Sequence, residues 1–262
     1  MIDSMKGIGK ITFILLLLLS STGLYSQFDT EEFDSLENQI LYNKQRAFGV
    51  VAHNLGLGMN YRFGKRITYF KSRVWEIEFV SMRSYKQIKL INPYFANSRR
   101  YVEGKLNDLF FLRGGIIWKK LLNRKPYWGG VELRFIYGGG FSLGLAKPYY
   151  YYVIYFRENP GGGWIPEIRT ERYDENSPKD DVYGRAPFTK GLNEISLHPG
   201  LFGKAGLNFE FGKRNTRITA VEVGGIMDVI PDGVGIMANA PNQILYPSIY
   251  LSFSFGKRYN KY

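Results

Sequence analysis

The strongest constraint on this chain is an alternation of period two, sustained over runs of eleven to fifteen residues. In 131–145 the odd positions are Val131, Leu133, Phe135, Tyr137, Gly139, Phe141, Leu143 and Leu145. The even positions are Glu132, Arg134, Ile136, Gly138, Gly140, Ser142 and Gly144. Runs 201–211 and 245–255 divide the same way. Successive strand residues point to opposite faces, so each run has one apolar, aromatic face and one small or charged face. A soluble sandwich also alternates, but its large side chains face a core. Here glycine and charge hold the less apolar face, which suits a barrel in lipid with a narrow polar lumen. The lengths agree, since a tilted strand crosses a bilayer in about 9–11 residues.

Eight strands are expected, at 45–52, 55–64, 73–82, 106–119, 129–145, 199–212, 217–228 and 244–256. The first two are counted separately although His53-Asn54 is a weak turn signal, because such barrels take an even number. The fold class is therefore all-β: a transmembrane antiparallel up-and-down β-barrel over 45–258, preceded by a short periplasmic segment.

The N-terminus reads as a signal peptide, 1–26. Lys6 and Lys10 precede an apolar run of nine residues, Ile11 to Leu19, then small and polar residues with a cleavage site near Ser26. That run falls short of the roughly 20 residues of a spanning helix. Export argues against a nucleic-acid partner despite the net charge of +12. With no cysteine and two histidines, the chain lacks the material for disulfides, a thiol nucleophile or a His-rich metal site. No metal or cofactor is expected. The periplasmic segment, 27–44, has a helix start at Asp29–Glu32 and apolar Phe33, Leu36, Ile40 and Leu41. A capping or docking helix and a loose tail both remain open.

A repeated ending orients the barrel. Phe63-Gly64-Lys65-Arg66, Phe211-Gly212-Lys213-Arg214 and Phe255-Gly256-Lys257-Arg258 close three even-numbered strands, and Trp118-Lys119-Lys120 closes a fourth. Aromatic rings favour the headgroup level and long cations snorkel from it. The connections after these strands are short, whereas 83–105, 146–198 and 229–243 are long, as in barrels with periplasmic turns and outer loops. Lys65, Arg66, Lys119, Lys120, Lys213, Arg214, Lys257 and Arg258 then form a periplasmic basic collar, facing lipid headgroups or an acidic partner.

The signal ending before Gln27, the amphipathic strands and the aromatic final strand resemble the small eight-stranded outer-membrane β-barrel proteins of Bacteroidota, with an OmpA-type transmembrane architecture. The resemblance covers about 45–258 and implies an outer-membrane location in the cell envelope, in contact with outer-membrane lipid. It brings no catalytic motif. Only Arg258–Tyr262 follow the last strand, so the peptidoglycan-binding domain of OmpA is not expected.

By alternation, Arg62, Glu76, Glu78, Arg113, Glu132, Arg134, Lys204, Glu210 and Glu222 face the lumen. An eight-stranded barrel is just wide enough for side chains, so these charges are expected to pair across it and plug it. Glu194, Ser196 and His198 are weak catalytic candidates: two-residue spacing puts them on one strand face before the sixth strand. A polar strand end is the competing account. In the long connection, Tyr149, Tyr150, Tyr151, Tyr152 and Trp164 form a candidate outer contact surface for protein or glycan. The reading that fits best is a non-enzymatic barrel, a scaffold or accessory subunit of a larger outer-membrane complex for secretion or barrel assembly, with a membrane or periplasmic protein partner. The alternatives are a lipid A-modifying enzyme (deacylase or acyltransferase type) and a small apolar-solute transporter.

Overall fold

The computed structural model describes residues 42–95, 97–124, 130–173, 181–211 and 216–260. The expected signal peptide, nearly all of the 27–44 segment, and Lys213 and Arg214 lie outside them. In chain order the strands are β1 (Lys44–His53), β2 (Gly56–Arg66), β3 (Lys71–Met82), β4 (Lys89–Leu90), β5 (Tyr101–Val102), β6 (Asn107–Asn123) and β7 (Glu132–Pro148). There follow β8 (Tyr150–Glu158), β9 (Trp164–Arg172), β10 (Val182–Arg185), β11 (Ser196–Glu210), β12 (Arg217–Val234) and β13 (Gln243–Tyr259).

Eight of these close an antiparallel barrel in the order β1-β13-β12-β11-β7-β6-β3-β2. Neighbours in sequence are neighbours in the wall, so the barrel is up-and-down. β1 and β2 are separate strands joined at Asn54-Leu55. His53 holds that turn: its Nδ1 accepts the Leu55 N–H at 3.3 Å. One end of the barrel carries the short connections 67–70, 124–131 and 211–216. The other carries 54–55, 83–106, 149–195 and 235–242.

The wall is apolar outside and charged inside. Phe48, Trp75, Phe141, Leu201, Ile249 and Phe253 are exposed on its outer surface, while Arg62, Glu76, Arg113, Lys204 and Glu222 are buried within. A water-soluble barrel would reverse this, and lipid is the solvent that makes it stable. Aromatics gather outside near the short-turn end: Trp118 stacks on Tyr137 at 5.8 Å and Tyr137 on Phe135 at 5.7 Å.

Beyond the alternation of charge and glycine, large apolar residues also occupy inward positions. Val51, Ile117, Ile136, Phe202, Ile226 and Tyr250 form one interior cluster. Val80, Leu109, Phe111, Ile230, Val234 and Tyr246 belong to another, which also takes in Val102, Ile236 and Met237 from the long connections.

The 146–198 connection is largely built structure instead of open loop. β10, β8 and β9 form a three-stranded sheet in that order. It is tied down at many points: Tyr149 N–H donates to Leu106 O at 2.9 Å, Arg99 N–H to Tyr183 O at 3.0 Å, and Asn92 Nδ2 to Val182 O at 2.8 Å. Lys105 bridges to Met237, joining the 83–106 and 235–242 connections. The long-loop end therefore carries a packed extension.

Candidate functional site

The lumen holds a charge network at mid-height. Arg62 gives both terminal nitrogens to Glu222 at 2.7 Å and its Nε to Glu76. Arg113 gives Nε and Nη2 to Asp228 at 2.9 and 2.6 Å and Nη1 to Glu78 at 2.5 Å. Between them, Lys204 Nζ reaches Glu76 at 2.9 Å, Glu78 at 3.3 Å and Glu222 at 3.5 Å. Tyr250, Asn208 and Ser142 donate further hydrogen bonds to the carboxylates, at 2.9, 3.1 and 2.9 Å. Three cations and four carboxylates thus interlock across β2, β3, β6, β11 and β12, each charged group in contact with at least one of opposite sign.

Asp228 was not among the expected lumen residues, although it continues the inward row Glu222, Gly224, Ile226. The expected strand stops at 228, whereas β12 runs on to Val234, so Asp228 is an interior position of the strand and not its end. Conversely, Glu132, Arg134 and Glu210 do not pair across mid-lumen. Glu132 pairs with Arg134 two residues along its own strand, and Glu210 takes Arg258 at 2.5 Å. These belong to a second, smaller group at the short-turn mouth.

That mouth also corrects the collar. Period two cannot send both members of a Lys-Arg pair outward. Lys65, Lys120 and Lys257 point away from the barrel and are exposed, while Arg66, Lys119 and Arg258 fall on the inward rows. The outward cations are joined by others in register. Lys44 lies opposite Lys65 and Lys65 opposite Arg73. Lys71 lies opposite Lys120, and Lys257 stands between Arg46 and Arg217. Like charges directly opposite one another are destabilising, so an anionic neighbour would stabilise this belt.

The catalytic candidates do not assemble. Ser196 Oγ and His198 Nε2 are 3.1 Å apart, but Ser196 also donates to Ala146 O at 3.3 Å. Glu194 lies in a 3-10 turn (Leu192–Glu194) before the strand, not on its face. Tyr150 donates to its carboxylate at 2.8 Å and Arg172 pairs with it. Those two hydrogen bonds hold the Glu194 carboxyl below the usual range. An orienting acid for His198 is therefore engaged elsewhere. Among the described residues, no group of three or more His, Asp or Glu side chains is placed to hold a metal ion.

The tyrosine run is split by its strand. Tyr149 and Tyr151 are buried, against the expectation of a contact surface, and pack with Tyr101 and Val153. Tyr151 OH donates to Val102 O at 2.5 Å and accepts the Lys105 N–H at 3.0 Å. Burial pushes its phenol pKa far up. Tyr150 and Tyr152 are half-buried, and of the five candidates only Trp164, 68% exposed, stands fully in solvent.

Trp164 belongs to the hairpin β8–β9. Ile154 lies opposite Ile168, Phe156 opposite Pro166 and Glu158 opposite Trp164, so these six share one face. Phe156, Trp164 and Ile168 are exposed on it. Among the described residues β9 pairs with β8 alone, leaving its other edge unpaired.

Under the extension lies a cavity of about 350 Å³, bounded by the barrel rim (Ser81, Asp108, Phe110) and by the overhanging Tyr101, Tyr149 and Phe188. Five cations line it, Arg83, Lys89, Arg100, Lys105 and Arg185, against one acid, Asp108. Burial lowers the pKa of Lys105, an effect that its 2.6 Å contact with Asp108 opposes. Sequence reading missed this cavity because Arg83, Lys89, Arg100 and Lys105, irregularly spaced in one connection, are closed over by Tyr149, Arg185 and Phe188 from another.

No protein-family model and no curated protein matches the sequence. Among solved structures, the chain is similar to Ail, the attachment invasion locus protein of Yersinia pestis, at 9% identity over 84% of this chain and 100% of that one, TM-score 0.35. It is similar to the same protein in complex with the heparin analogue sucrose octasulfate at 8% identity, with 84% and 100% coverage and TM-score 0.34. The similarity to Neisserial surface protein A is 12% identity over 83% of this chain and 97% of that one, TM-score 0.36.

Proposed function

We propose that this protein is a non-conducting, non-enzymatic barrel of the outer membrane of a Gram-negative cell envelope, acting as a scaffold or accessory subunit of a larger complex for secretion or barrel assembly. In this reading residues 1–26 are removed on export, the short turns face the periplasm and the extension faces outward. The filled lumen supports a role other than transport. The belt of outward cations at the short-turn end supports contact with anionic lipid headgroups, each near-surface cation contributing on the order of 1 kcal/mol.

One observation carries the scaffold reading: among the described residues one edge of β9 is unpaired, beside an exposed apolar face of Phe156, Trp164 and Ile168. A free edge offers a row of backbone donors and acceptors, and proteins ordinarily cover such edges. The occupant that fits is an extended segment of a protein partner, added as a strand with alternate side chains against the apolar face. The test is Trp164→Lys with Ile168→Lys, made in the native cell. Folding, read by heat-modifiable migration, should be unchanged, and at least one co-purifying protein should be lost. An unchanged set of co-purifying proteins would overturn the reading.

A further inference from the structure

We propose that the basic cavity under the extension binds the phosphorylated sugar headgroup of a glycolipid in the surrounding leaflet. The proposal rests on the outward orientation of the long-loop end proposed above, which would place the cavity at the outer-leaflet headgroups.

Three observations carry it. The first is charge. Asp108 is already shared between Lys105 at 2.6 Å and Arg185 at 2.8 Å, and among the described residues no acid pairs with Arg83, Lys89 or Arg100. Cations gathered around so small a space repel one another unless an anion joins them. Arginine forks and lysine ammoniums are the groups that take phosphate.

The second is an unsatisfied donor. Gln87 Oε1 accepts Lys105 Nζ at 3.4 Å, while its Nε2 is buried with no partner. A buried amide N–H without an acceptor is costly, and a phosphate or sugar oxygen would supply one.

The third is position. Phe110, part of the cavity lining, stacks on the exposed Phe79 at 5.7 Å and meets Phe188 edge-on at 6.1 Å. The cavity therefore adjoins the apolar outer wall of the barrel. A headgroup seated among the cations can leave its acyl chains on that wall. The volume is near the low end of small-molecule sites, about 300–1,000 Å³, and suits a sugar phosphate better than a long polymer. A soluble sugar phosphate shares the headgroup chemistry but makes no use of the adjoining apolar wall.

The experiment uses the full chain in detergent, with binding read by native mass spectrometry. The probes are lipid A, phosphatidylethanolamine and glucose 1-phosphate. Lipid A should remain on the chain at one per molecule, and phosphatidylethanolamine should not. Lys89→Gln with Arg100→Gln, both exposed positions, should weaken lipid A binding by about tenfold or more. Arg157→Gln with Arg169→Gln, exposed on the β8–β9 hairpin and outside the cavity lining, should leave it unchanged. Equal loss from both pairs would mean a general charge effect and would overturn the site. Equal binding of lipid A to the Lys89/Arg100 variant and the parent would do the same. Binding of glucose 1-phosphate as tight as lipid A would reject the lipid as the source. Orientation is read separately: Asn159→Cys, in a chain with no cysteine of its own, should be labelled by an impermeant maleimide on intact cells. Failure there, with lipid A binding intact, would refute the outward orientation and not the cavity.

Discussion

Removing the central cation of the lumen should unsettle the whole barrel. Lys204→Met keeps the length and most of the volume of the side chain but deletes a charge that touches three carboxylates, at 2.9, 3.3 and 3.5 Å. At such separations and an effective dielectric of about 20, each contact is worth roughly 5 kcal/mol before desolvation is counted. Desolvating the ammonium cancels several kcal/mol of that sum. The carboxylates stay behind, however, and the formal charge of the cluster changes from −1 to −2 with the remaining Arg62 and Arg113. Breaking a buried pair in this way costs about 3–5 kcal/mol. Adding Glu78→Gln restores the formal charge, since Arg113 keeps Asp228 and Arg62 keeps Glu76 and Glu222. The double variant should therefore recover about 1–3 kcal/mol relative to the sum of the single losses. The assay is reversible urea unfolding of vesicle-inserted protein, followed by tryptophan fluorescence. A loss below about 1 kcal/mol for Lys204→Met, or strict additivity in the double variant, would refute an interlocked network.

Planar-bilayer recordings of the parent should show no stable open pore, because charge and the Phe111–Ile230 cluster together fill the lumen. Gly49→Ala should destabilise the barrel by about 1–3 kcal/mol, since an added Cβ would sit 2.5 Å from Asn60 Oδ1 and 2.8 Å from Ser254 Oγ. Gly203→Ala, with nothing within 4 Å of the added Cβ, should cost nothing measurable in the same unfolding assay. Tyr151→Phe leaves the buried Lys105 N–H without its acceptor and should make the extension, but not the barrel, cleave faster under limited proteolysis.

The barrel was legible because lipid and lumen impose opposite demands on alternate residues of every span. All eight wall strands were expected near their observed positions, and the inward charges Arg62, Glu76, Glu78, Arg113, Lys204 and Glu222 followed from parity alone. Which of them meet did not follow. Arg62 and Glu222 are 160 residues apart, and their contact depends on the register of the intervening strands. The extension was illegible for a different reason. Tyr149–Tyr152 alternates too, but both faces of that segment find protein, so parity does not say which one is buried. Contacts from Tyr101 and Lys105, supplied by another connection, decide it. The basic cavity draws Arg83, Lys89, Arg100 and Lys105 from one connection at irregular spacing and Arg185 from another, so no periodic pattern marks it.

The basic collar shows how far parity reaches when it is applied without exception. An aromatic followed by glycine and two cations reads as an interfacial anchor, and the aromatic does face lipid. Two residues on, the first cation shares its face, as Lys65 does with Phe63 and Lys257 with Phe255. The next residue must turn inward, as Arg66 and Arg258 do. In β6 no glycine intervenes after Trp118, so the order reverses: Lys119 turns in and Lys120 out. Each of the three described pairs therefore divides its labour. One cation serves the headgroups, while the other enters the mouth, where Arg258 pairs with Glu210. A tandem of two cations at a strand end is thus one device for two solvents, and replacing either member should disturb only its own side of the wall.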